Sequence, residues 1–154
     1  MKGLSPRRQR RLFPDLGHHF LRGRGMVSDD TEHACLTAQA LIASAGDPDV
    51  FVTRLGRSLR HWLLSLPAGT GRATLRATLK LCLGFSPRHS GVFSAGNGPA
   101  MRSPILGVCH GHDVARLREL VRWSTRITHV DPKSEFGALA IAWAAHLSGV
   151  AGDA

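Results

Sequence analysis

The chain has no tyrosine, and its aromatic complement is six Phe and three Trp in 154 residues. Strands favour aromatic and β-branched residues, so a core filled mostly by Leu and Ala points to helices. Cysteine is also scarce. Cys35, Cys82 and Cys109 are odd in number, far apart and without a CxxC pair, which supports neither a zinc knuckle nor a disulfide framework. Cys35 and Cys82 fall in apolar helical patterns and are expected to act as small buried hydrophobes in a reducing cytoplasm. No apolar run is long enough to span a bilayer. The Arg-rich start lacks the apolar stretch of a signal peptide, because Pro14, Asp15, Gly17, His18 and His19 interrupt Leu12 to Leu21. The expectation is a soluble cytoplasmic protein, with no membrane partner.

Acidic residues are few, and the formal charge is +9. That excess is local. Residues 1–24 carry Lys2, Arg7, Arg8, Arg10, Arg11, Arg22 and Arg24 against Asp15 alone, whereas residues 25–154 hold 13 basic and 10 acidic side chains. The basic segment lacks interleaved aromatics, which disfavours nucleic acid as a partner. A basic nucleic-acid-binding helical protein is the lowest of the readings. Residues 1–25 are expected to form a loosely packed segment ahead of a helical domain over 26–150.

From residue 28 a helical period takes over. Ala34, Cys35, Ala38, Leu41, Ile42 and Ala45 form a stripe that stops at Gly46. Asp47-Pro48 caps a helix presenting Val50, Phe51, Leu55, Leu59, Trp62 and Leu63, and Pro67 ends it. Leu75, Leu79, Cys82 and Leu83 mark a third helix. Residues 84–98 are rich in Gly, Ser and Pro and read as a long loop. Met101, Ile105 and Val108 follow. Asp113 caps Val114, Leu117, Leu120, Val121 and Trp123, and Asp131-Pro132 precedes Phe136, Leu139, Ala140, Trp143 and Leu147. The pattern predicts an all-α, orthogonal multi-helix bundle of six helices without a convincing strand. The Ala-rich last helix predicts a close helix–helix contact.

Three segments carry candidate chemistry. Ser28-Asp29-Asp30-Thr31-Glu32 sets two carboxylates and two hydroxyls at a helix start, the oxygen-rich donor set that a hard cation takes. Taken alone it fits a capping box better, through Asp29-x-x-Glu32. Gly96-Asn97-Gly98 lets backbone N–H groups approach an anion, although Asn-Gly is also a common turn pair. His129 lies just before Asp131-Pro132, within reach of a ligand beside that helix. Cys109-His110-Gly111-His112 offers soft ligands without a second pair at finger-like spacing, and reads as a turn between helices.

In this order, Ser28-Asp29-Asp30-Thr31-Glu32, residues 67–75, Gly96-Asn97-Gly98-Pro99-Ala100-Met101-Arg102 and Thr128-His129-x-Asp131-Pro132 resemble the ADP-ribosylglycohydrolase family, across about residues 24–150. The resemblance implies an all-α enzyme that uses a pair of Mg²⁺ ions to remove ADP-ribose from a modified acceptor. Ser28, Asp29 and Asp30 would be metal ligands, Thr31 and Glu32 would support the helix start, and Gly96, Asn97, Gly98 and His129 would bind substrate. No residue is assigned as acid or base. The partner implied is an ADP-ribosylated protein or a small ADP-ribose conjugate, taken by a monomer. The family's opening Gly-x-x-x-Gly-Asp-Ala-x-Gly and late Asp-x-Asp-Thr motifs are missing. The expectation is therefore a partial, truncated domain with a partial Mg²⁺ site and weak or no turnover. The alternative is a non-catalytic ADP-ribose-binding remnant.

Overall fold

The computed structural model describes residues 19–21, 24–25, 27–67 and 70–152, together with Arg7. Among them are six helices: α1 (Asp29–Ser44), α2 (Pro48–Leu64), α3 (Arg72–Cys82), α4 (Ser103–His110), α5 (Val114–Arg126) and α6 (Pro132–Gly152). The all-α reading stands, with one addition. A short antiparallel pair, β1 (His19–Leu21) and β2 (Arg24–Gly25), lies in the basic segment that was read as lacking strands. The rest of that segment, Arg7 apart, falls outside the described residues.

Caps set the helix starts where the sequence places them. Asp47 Oδ1 accepts the N–H groups of Asp49 and Val50 at 2.8 and 2.9 Å, with Pro48 in the first turn. Asp113 Oδ1 accepts from Arg116 N at 3.0 Å, and Asp131 Oδ1 from Lys133 N at 2.9 Å. Each satisfies donors that the first helical turn leaves unpaired. Of the Cys109–His112 segment, Cys109 and His110 end α4, and Gly111-His112 forms the turn toward α5.

The core gathers Phe51, Val52, Leu55 and Leu59 of α2, Leu106 of α4, Leu117, Leu120 and Val121 of α5, and Ala138 and Ala142 of α6. Two helices turn a different face inward from the one their apolar stripes predict. On α1 the buried residues are His33, Thr37, Ala40, Leu41 and Ser44, while Cys35 is exposed and Ile42 is 81% exposed. On α3 they are Thr74, Ala77, Thr78 and Leu81, leaving Leu75 and Leu79 outside. The inward hydroxyls need no partner from another helix. Thr37 Oγ1 donates to His33 O at 2.7 Å, Thr78 Oγ1 to Thr74 O at 2.8 Å, and Ser44 Oγ to Leu41 O at 2.8 Å. Because this back-bonding satisfies the polar group locally, the helix can pack it.

The close contact expected of the last helix is present, against α4. A Cβ built at Gly107 would stand 1.9 Å from Ala142 O and 2.9 Å from Ala142 Cα, which are backbone atoms that cannot move aside. In a free helix Gly→Ala gains about 1 kcal/mol. Here the sign reverses: Gly107→Ala is expected to lower the unfolding free energy by about 2 kcal/mol, read from urea denaturation at unchanged m-value.

Candidate functional site

The start of α1 forms one wall of a cleft. Ser28 is its N-cap, with φ −78° and ψ 163°, and its hydroxyl oxygen accepts from Thr31 N at 3.5 Å. The capping box read at Asp29-x-x-Glu32 is thus corrected. Glu32 does not reach back to the helix start, because its Oε2 accepts the indole N–H of Trp62 on α2 at 2.7 Å. That bond fixes α1 on α2. Capping falls to Ser28, and Asp29 and Asp30 occupy the first turn, where the helix dipole favours their charge.

The opposite wall is the segment from Ser90 to Arg102, long in sequence but held at three levels. Ser90 Oγ donates to Ile127 O at 2.7 Å. Val92 makes a single parallel bridge beside His129, donating to Thr128 O at 3.1 Å and accepting from Val130 N at 3.0 Å. Ser134, in the first turn of α6, donates its hydroxyl to Ser94 O at 2.8 Å and to Gly96 O at 3.0 Å. These pins bring Gly96-Asn97-Gly98 over the His129 ring. A Cβ at Gly98 would lie 2.8 Å from His129 Cε1 and 3.1 Å from Thr74 Oγ1, so glycine allows the close approach there.

The resulting cleft has a volume of about 240 Å³ and is lined by Asp29, Asp30, residues 71–74, Ser94, Gly96, Asn97, Gly98, Met101 and His129. Of the residues singled out in the sequence, Asp29, Asp30, Gly96, Asn97, Gly98 and His129 meet here. Ser28 is exposed, serves as the cap and is not part of the lining. The N-terminus of α3 also contributes, at a position the sequence reading left without a role. Gly71 gives it no side-chain cap and its first turn carries no acidic residue, so it presents unpaired N–H groups beside Arg72.

Beneath the cleft lies a cation that sequence reasoning did not single out. Arg102 is fully buried, with four donor contacts: Nε to Ser124 Oγ at 3.3 Å, Nη1 to His33 Nδ1 at 3.2 Å, and Nη2 to Ser124 O at 2.9 Å and Thr128 Oγ1 at 2.7 Å. Burial lowers its pKa to about 10, so it stays charged at neutral pH. Burial, and then the Arg102 charge, push His33 down to about 3 and His129 down to about 4. His33 also packs edge-on against Trp62, ring centroids 4.3 Å apart. In the sequence this centre shows only as Arg102 and Thr128 within the resemblance motifs, with nothing to mark them as buried partners.

The donors at the carboxylate wall are all oxygen, in keeping with a hard cation that binds one or two carboxylates and keeps part of its water shell. Among the described residues there is no group of three His, Cys, Asp or Glu side chains placed to enclose a metal. Nor is any helix there long and apolar enough to cross a membrane.

Comparison with known proteins bears on the same residues. The family model for ADP-ribosylglycohydrolase matches residues 2–154. A protein of Archaeoglobus fulgidus, named only as uncharacterized, is 29% identical over 120 residues, which cover 77% of this chain and 38% of that relative. The chain thus spans less than two-fifths of that relative's length.

The neutral histidines make stability depend on pH. In the unfolded chain both rings take up a proton near 6.5, but in the folded state His129 holds off to about 4 and His33 to about 3. Their contribution is complete above pH 6.5 and declines as pH falls through that window. Each ring adds up to about 1.4 kcal/mol per pH unit. Urea unfolding at pH 6.5 and 4.5 is expected to show a steeper decline for the wild type than for His33→Phe; equal slopes would mean that His33 is protonated in the fold.

Proposed function

The chain belongs to the ADP-ribosylglycohydrolase family, and from that premise we propose that its cleft takes the phosphate–ribose portion of ADP-ribose beside a divalent cation held by Asp29 and Asp30. At family level the protein is an ADP-ribosylglycohydrolase-like hydrolase. One observation supports the finer reading: the two first-turn carboxylates and the Gly96–Asn97–Gly98 loop line a single cleft. Ligand pockets commonly hold about 300–1,000 Å³. At about 240 Å³ this one suits part of a dinucleotide-sized molecule, such as a ribose phosphate, with the rest lying outside.

Mg²⁺ is the proposed cation, since it accepts one or two carboxylates together with water and ligand oxygens. When bound, it would orient ribose hydroxyls and acidify a coordinated water. Ser28 would add a third oxygen, giving up its long cap contact to do so. The backbone N–H groups near Gly96–Gly98 and at the start of α3 suit the phosphate, and His129 faces the same space. ADP-ribosylated protein or a small ADP-ribose conjugate is the proposed substrate class, without an assigned acid or base.

Two carboxylates hold a cation less firmly than an enclosed set, so turnover by this chain alone is proposed to be weak. A second reading is binding of ADP-ribose without hydrolysis, resting on the cleft lined by Asn97 and His129 rather than on a cation. The binding claim is tested by calorimetry with ADP-ribose, with and without Mg²⁺. Asn97→Ala is expected to weaken binding by at least about tenfold, ~1.4 kcal/mol, and Asp30→Asn to abolish the Mg²⁺ dependence. Identical traces for Asn97→Ala and wild type would remove the loop from the site. Release of ADP-ribose from ADP-ribosyl-arginine above the blank separates hydrolase from binder.

A further inference from the structure

Thr128 Oγ1 stands between the buried cation and the cleft histidine, 2.7 Å from Arg102 Nη2 and 2.9 Å from His129 Nδ1. A guanidinium only donates, so the hydroxyl oxygen accepts from Arg102. The hydroxyl hydrogen then has two destinations in reach, His129 Nδ1 at 2.9 Å and Thr125 O at 3.4 Å. Thr125 O already accepts two backbone N–H groups, from Thr128 at 3.0 Å and from His129 at 2.8 Å. Both its lone pairs are occupied. If Nδ1 carried a proton, the hydroxyl would accept twice and its own hydrogen would face a saturated carbonyl. An Nδ1–H would also direct its positive end toward the Arg102 side of the ring, in a buried setting where such a contact is costly.

We infer that Arg102 and Thr128 lock His129 in the tautomer protonated at Nε2, so that this ring offers the cleft a hydrogen-bond donor and neither a base nor a metal-ligating lone pair. The Nε2 edge faces the loop, since a Cβ at Gly96 would lie 3.0 Å from Nε2. The ring stays neutral in the folded protein, because burial holds its pKa at about 4. What it recognises is an acceptor oxygen, the kind a phosphate or a ribose presents. Arg102 and Thr128 act through His129 and are positioning residues. Only the naming of that ligand oxygen rests on the proposed function; the tautomer does not.

The test is long-range ¹H–¹⁵N correlation NMR of the full chain labelled with ¹⁵N-histidine near pH 7, with the His129 signals identified by their loss in His129→Gln. The wild type is expected to show a bare, acceptor-type Nδ1 and a protonated Nε2. An Nδ1–H ring, or an evenly averaged pair, would overturn the inference without any variant. Thr128→Val, which removes the hydroxyl, is expected to shift the ring to a mixture of tautomers, and Thr128→Ser to restore the wild-type pattern. A Thr128→Val ring that stays wholly Nε2–H would remove Thr128 from the relay. Addition of ADP-ribose should move the Nε2–H resonance and leave Nδ1 bare. An Nε2–H ring in a protein that ignores ADP-ribose would uphold the tautomer while defeating the ligand assignment.

Discussion

The guanidinium of Arg102 is the interaction on which the rest of this structure turns. It is a fully buried cation with no carboxylate among its hydrogen-bonding partners in the described residues. A charge in that position is tolerable only if its N–H groups are met by well-placed acceptors. Four contacts do this, and they come from three places: His33 on α1, Ser124 near the end of α5, and Thr128 in the turn before α6. The start of α4, the acidic helix and the His129 turn are therefore set relative to one another by one planar group. A lysine could not replace it, because a single ammonium cannot address acceptors that lie in different directions around a fork.

That junction explains why a long irregular segment can form a cleft wall. Residues 84–102 have little regular structure of their own, yet their backbone is tied to neighbours that Arg102 holds. Ser90 bonds to Ile127, Val92 bridges the strand-like turn at His129, and Ser134 clasps the carbonyls of Ser94 and Gly96. Gly96 and Gly98 then lie against the imidazole, most tightly at Gly98. On the other side, the Trp62–Glu32 bond holds the first turn of α1, so Asp29 and Asp30 face the loop from a rigid element. Rigid support of this kind is what a binding constellation needs if its groups are to be preorganised.

Much of this was legible in the sequence, for reasons that also show where legibility stops. Helix starts are local devices, and Asp47-Pro48, Asp113 and Asp131-Pro132 announce themselves within four residues. The cleft residues at Asp29, Asp30, Gly96–Gly98 and His129 were legible through family resemblance, because the order of motifs carries information that no single motif holds. Helix faces were not. Apolar period alone rotates α1 toward Cys35 and Ile42, whereas the fold buries His33, Thr37 and Ser44; the two hydroxyls are satisfied within their own helix, and His33 Nδ1 meets Arg102. Hydropathy counts a Thr as polar whether or not its hydrogen bond is already made. Arg102 stands in the Gly96–Arg102 motif with no role that spacing reveals, since burial and partners from three distant segments leave no trace there.

The polarity of the cleft follows from the same arrangement. One wall carries the two carboxylates, the α3 start adds a helix N-terminus without a side-chain cap or an acidic residue, and a buried positive charge lies behind His129, linked to it through Thr128. Such a site does not attract one sign of charge uniformly. The proposed ligand, a phosphate-bearing ribose beside a divalent cation, carries charge of both signs. The two poles differ in setting: Asp30 is exposed, whereas Arg102 is fully buried, where a charge interacts more strongly than in water. Burial, and after it the Arg102 charge, keeps His33 and His129 neutral, so neither adds a second cation beside the guanidinium. The guanidinium that organises the backbone therefore also sets the electrostatics of the cleft it supports.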